Sequence, residues 1–120
     1  MGGMTDRRSA RPQLPHRKLI AYDVALELLR VVRAAEIRDA KLRDQAMRAA
    51  EGAALNIAEA AGRTSPADRA RVFAIARGEA MEAAAGVEIA VLAGDADGHA
   101  FDACLAIADR LVALLTGLCR

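Results

Sequence analysis

Beyond residue 18, apolar and polar positions recur with a helical period along the chain. Asp23, Glu27, Arg30 and Arg33, spaced 4, 3 and 3, form one narrow polar stripe on a helix predicted over 19–35. Tyr22, Leu26, Leu29 and Val32 make one apolar row, and Val24, Leu28 and Val31 make another. Two rows predict burial on two sides, because a surface helix of a small monomer needs one. Glu36, Arg38 and Asp39 mark a turn, with Asp39 as N-cap of a second helix over 40–61. Its inner row is Leu42, Ala46, Ala49, Ala53, Ile57 and Ala60, nearly all small, which lets helix axes approach closely. Gly62 is expected to end this helix at the C′ position.

Ser65-Pro66-Ala67-Asp68 reads as N-cap, N1, N2 and N3 of a third helix over 66–93. Ser65 can accept from the Asp68 backbone N–H, and Asp68 meets the positive helix end. Gly78 and Gly86 interrupt this helix, each at about 1 kcal/mol against alanine, and predict a close approach of another backbone. Gly94-Asp95-Ala96-Asp97-Gly98 is a turn, with Asp97 capping a fourth helix over 99–118. There Phe101, Leu105, Ala108, Val112 and Leu115 form one row, and Cys104, Ile107, Leu111, Leu114 and Leu118 a second. Four helices with short connections predict an all-α, up-down-up-down antiparallel four-helix bundle over 19–120. Val24, Leu28, Val31, Ile107, Leu111 and Leu114, the rows left over, are the expected oligomer interface, since together they exceed the apolar patch a monomer tolerates.

Composition supports the helices. Alanine fills 30 of the 120 positions, aromatics are 2%, and Pro66 is the only proline beyond residue 15. The scarcity of aromatics argues against base stacking on a single strand. The net charge of +1 hides an asymmetry. Residues 1–18 carry Arg7, Arg8, Arg11, Arg17 and Lys18 against Asp6, a basic segment before a mildly acidic body. With Gly2, Gly3, Pro12 and Pro15 and no apolar periodicity, 1–18 is expected to be disordered, and its five cations are the candidate nucleic-acid contact. No apolar run is long enough to suggest a membrane span, and no h-region of a secretory signal is present. Cys104 and Cys119 fall on one helix, about 22 Å apart, so a disulfide between them is excluded and a reducing, cytoplasmic setting is expected.

Little else carries chemistry. HExxH, paired CxxC, Walker A and GxGxxG are absent, and His16 and His99 share no helix face. No metal, cofactor or small-molecule substrate is expected. Cys104 near His99 reads as a core thiol beside a capping imidazole, and Glu79 with Glu82 as a solvated helix face. No acid, base and nucleophile converge, so the chain is read as non-enzymatic. The one polar feature within alanine-rich surroundings is Asn56, with Glu59 at i+3 and Arg63 at i+4 from Glu59. Periodicity leaves two readings: an ordinary surface ion pair, or a buried network joined by Arg77 and Glu82 of the third helix.

Gln45-Ala46-Met47-Arg48-Ala49-Ala50, then Asn56-Ile57-Ala58-Glu59-Ala60-Ala61-Gly62-Arg63, then Ala76-Arg77-Gly78 with Glu82, resembles a family of bacterial four-helix-bundle proteins encoded in intervening sequences of 23S rRNA genes. Leu19-Ile20-Ala21-Tyr22 is similar to that family's opening helix, so the resemblance covers about residues 19–118. The chain departs from the pattern at Ala54, Ala60 and Glu79, where the family usually has Pro, Gly and Ser. The resemblance implies a homopentamer with no known enzyme activity, and Asn56, Glu59, Gly62, Arg63, Arg77, Gly78 and Glu82 as its structural motif. It also implies kinship with the accessory protein of diversity-generating retroelements, which binds a reverse transcriptase and nucleic acid. Two functions compete: a self-associating scaffold or adaptor touching nucleic acid through its basic segment, or a pure protein–protein interaction module of an accessory operon.

Overall fold

A computed structural model describes residues 11–120. Four helices follow one 3-10 turn, Pro15–Lys18: α1 Ile20–Ala34, α2 Ala40–Gly62, α3 Pro66–Leu92 and α4 Gly98–Leu118. Each helix packs on its neighbours in sequence, α4 closes against α1, and the diagonal pair α1–α3 barely meets. That is the up-down-up-down antiparallel bundle expected from short connections.

Two caps form as their sequences predict. The Asp39 carboxylate accepts from Leu42 N–H at 2.9 Å, and the Ser65 hydroxyl accepts from Asp68 N–H at 3.2 Å. Asp97 occupies the N-cap of α4 without a side-chain bond to it. Gly62 is the last residue of α2, not a left-handed C′, and Arg63 caps the helix in an extended conformation. The left-handed glycine is Gly94, at φ 81°, where α3 turns toward α4. The two connections at that end are tied together: Arg38 N–H donates to Asp95 O at 2.8 Å, and its guanidinium to Gly94 O at 2.6 Å. Ile37 is buried beneath them.

More than half of the buried core residues are alanines, so the helices sit close and α2–α3 is the most extensive pair. At Gly86 a Cβ would lie 3.1 Å from Ala46 Cβ, which is the close approach that glycine predicts. At Gly78 a Cβ would meet nothing within 4 Å, so no segment of the described chain approaches there.

The expected interface rows need correction. Val24, Leu28 and Leu111 are 1%, 0% and 0% exposed, in the centre of the bundle. α1 turns Ala21, Val24, Ala25, Leu28 and Val32 inward, and α4 turns Ala100, Cys104, Ala108, Leu111 and Leu115 inward. The row of Tyr22, Leu26 and Leu29 is the half-buried one. Both rows were apolar, and packing against the other helices selected between them. Val31, Ile107 and Leu114 are half-buried and remain open on one side.

The basic segment is also partly ordered. Arg7 and Arg8 lie outside the described residues. Pro15–Lys18, expected to be disordered, form a turn packed on α1 and α2. The His16 ring stands edge-on to Tyr22 at 4.7 Å, and the Arg17 guanidinium lies 5.4 Å from the Tyr22 ring centre and 3.8 Å from Asp23. Tyr22 is the anchor that the tail's composition concealed.

Candidate functional site: the outer face of the second and third helices

α3 carries apolar residues on more than one side. Its inner row, Val72, Phe73, Ala76, Ala80, Ala83, Val87 and Ala90, is buried. On the opposite side Ile75, Met81, Ile89 and Leu92 are 44% to 82% exposed, interleaved with exposed Ala74, Gly78 and Ala85. A helix built this way is suited to burial on both sides. On α2, Leu55 is 70% exposed.

Polar groups border the same face. The Asn56 amide donates to Gly52 O of its own helix at 3.1 Å and to the Glu79 carboxylate of α3. Gly52 makes the room: a Cβ there would overlap Glu79 Oε2. Burial raises the Glu79 carboxyl above its ordinary range, the Asn56 donor opposes this, and the negative charge of nearby Glu82 adds to the rise. Glu79, read from sequence as solvated, is therefore Asn56's partner on α3. The signal was available at i+4: Gly52 and Asn56 share a helix face that leaves space for a carboxylate.

The motif residues divide into separate groups. Glu59 and Arg63 form an i,i+4 pair at 3.5 Å, with side chains 53% and 40% exposed. Arg63 also reaches Asp68 at 3.2 Å, and Asp68 pairs with Arg71 at 3.0 Å, so this chain of charges staples the α2–α3 connection. The hydrogen bond from Arg71, with the charges of Arg63 and Arg71, holds Asp68 below the usual carboxylate range against its partial desolvation. Arg77 is not part of this network. Its Nε donates to Thr116 Oγ1 at 2.8 Å, tying α3 to α4 on another side of the helix. Glu82 is exposed and pairs with no described side chain. The buried network joining Asn56, Glu59 and Arg63 to Arg77 and Glu82 does not form, because the rotation of α3 points Arg77 toward α4 and Glu79 toward α2.

Among the described residues no group of three or more His, Cys, Asp or Glu could hold a metal ion. Both cysteines are free, and burial pushes the Cys104 thiol up to about 11, away from thiolate reactivity. No described helix is long and apolar enough to cross a membrane.

What stands out is a close-packed alanine-rich four-helix bundle with large apolar side chains exposed on its third helix. The chain belongs to the 23S rRNA-intervening sequence protein family, whose model matches residues 18–117. No curated protein matches it.

Proposed function

We propose that the protein is a non-enzymatic, self-associating scaffold or adaptor acting in the cytoplasm. The exposed apolar stripe of α3, Ile75, Met81, Ile89 and Leu92, carries this reading. Large apolar side chains exposed together on one helix favour an interaction site. The family resemblance supports a pentamer. Light scattering at micromolar concentration is expected to give a multiple of 12.6 kDa, most simply five. A monomer at that concentration overturns the reading.

The basic segment supports nucleic acid as a partner. Arg7, Arg8, Arg11, Arg17 and Lys18 face one acidic residue, Asp6, within 1–18, and an assembly would gather many copies. Kinship of the family with the retroelement accessory protein, which the resemblance implies, supports the same partner. Arg17 is engaged with Asp23 and Tyr22, while Arg11 and Lys18 make no ion pair among the described residues. Anisotropy of a labelled RNA and a labelled DNA is expected to show binding that weakens by orders of magnitude between about 50 and about 200 mM salt. Deleting residues 1–11 removes Arg7, Arg8 and Arg11, three of the five cations, and should remove most of it while leaving the Pro15–Lys18 turn in place. No binding at the lower salt favours the alternative, a protein–protein interaction module with no nucleic-acid role.

A further inference from the structure

Resting on the self-association reading, we infer that the outer stripe of α3 docks against the open flank of α4 of a second copy, antiparallel, with Glu82 opposite Arg110. Six glycines fall within the helix bounds; Gly62 and Gly98 are terminal residues, and the other four, Gly52, Gly78, Gly86 and Gly117, each destabilise a helix relative to alanine. The chain itself explains two: Gly52 admits the Glu79 carboxylate and Gly86 admits Ala46. Gly78 and Gly117 face open space, with nothing within 4 Å of a Cβ. Missing side chains at exposed helix positions are accounted for by an approach from outside the chain.

The two open glycines lie on complementary stripes. On α3, Ile75, Gly78, Glu82, Ala85 and Ile89 recur at 3, 4, 3 and 4, all exposed. On α4, Ala103, Ile107, Arg110, Leu114 and Gly117 recur at 4, 3, 4 and 3, exposed or half-buried. Setting Glu82 against Arg110 in antiparallel register pairs every layer by size. Ile75 meets Gly117, Gly78 meets Leu114, Ala85 meets Ile107, and Ile89 meets Ala103. A large side chain faces a small one each time, as knobs entering holes require.

Charge selects the same register. Glu82 and Arg110 make no hydrogen bond or ion pair among the described residues, and each is the one charge in its stripe. Direction fits too. α3 and α4 run antiparallel within a chain, so copies arranged with their bundle axes parallel around a ring bring α3 of one against α4 of the next antiparallel. The contact is heterologous, which builds rings when the rotation closes. The register also places Ile107 and Leu114, two of the sequence's interface candidates, at the contact.

The test is a charge exchange read by light scattering, with circular dichroism to confirm that helix content is kept. Glu82→Arg and Arg110→Glu each lower the wild-type mass to 12.6 kDa, and the double variant restores it. Gly78→Leu, which has room within the chain, likewise dissociates the assembly while leaving the bundle folded. Assembly retained in both single charge variants overturns the interface. Singles that dissociate with a double that stays dissociated overturn the register. A monomeric wild type fails at the earlier step and overturns self-association itself.

Discussion

The Asn56 side-chain amide bridges two helices, donating to Gly52 O behind it on α2 and to the Glu79 carboxylate across on α3. It is one of the points where the most recognisable segment of the sequence meets α3, beside the Arg63–Asp68 pair. Replacing Asn56 with Ala removes a donor to a charged group, worth about 1 kcal/mol where half-exposed, offset by alanine's helix preference of about 0.5 kcal/mol. The net loss should be small. The sharper readout is Glu79 itself, whose pKa should rise further in carboxyl NMR titration once the donor is gone. An unchanged or lowered value would show that the bond does not hold the carboxylate.

Glu79 and Asp68 give opposite pH dependences. Folding raises the Glu79 pKa above its ordinary 4.5, so its contribution is fully present below that pH and is lost as pH rises through the folded value. At neutral pH its charge opposes folding, and Glu79→Gln, which keeps an acceptor for Asn56, should melt higher than wild type. The advantage should shrink toward pH 4. Folding lowers the Asp68 pKa below 3.8, so its contribution is present above that value and lost as acid protonates it. Asp68→Asn should therefore flatten the acid limb of the stability curve. Thermal melts from pH 3 to 8 check both, and parallel curves for all three proteins contradict the assignment.

Gly52→Ala and Gly86→Ala separate two uses of glycine. At Gly52 the obstruction is the flexible end of Glu79, which can swing into solvent. Stability should change by less than about 1 kcal/mol, because alanine's helix preference offsets the lost contact, while the Glu79 pKa returns toward 4.5. At Gly86 the neighbours are Ala46 Cβ at 3.1 Å and its Cα at 3.5 Å, which move only with α2. Overpacking of this kind costs about 1–3 kcal/mol and should outweigh the gain in helix preference. Denaturant melts that rank the two variants the other way would contradict this packing account.

Glu59→Ala is expected to cost less than about 1 kcal/mol, as exposed pairs do, because both partners are largely solvated. A loss near the roughly 3–5 kcal/mol of a broken buried pair would contradict the surface placement. The Glu59→Ala, Arg77→Ala double variant should be additive, since Arg77 is bonded to Thr116 of α4.

Glu36 is the one non-glycine residue described with positive φ, at 47°. The left-handed conformation costs an L-residue about 1 kcal/mol. Glu36→Gly should relieve much of this and raise the melting temperature modestly. A lower melting temperature would mean that the Glu36 side chain stabilises the turn.

Local features were legible in the sequence. The caps at Asp39 and Ser65 and the bundle class follow from groups within one helical turn of each other and from the 3.6 period. Those interactions form whatever the helix packs against. Rotation of the helices was not legible. α1, α3 and α4 are apolar on more than one side, so Val24 and Leu28 looked no more central than Leu26 and Leu29. Periodicity identifies a face only when the other faces are polar. The same ambiguity assigned Arg77 to the wrong neighbour and Glu79 to solvent. Tertiary packing decided these points, because the helices had to be turned together until the alanines of both were buried and Gly52 and Gly86 met Glu79 and Ala46. That is a joint fit of several surfaces, which no single stretch of chain determines.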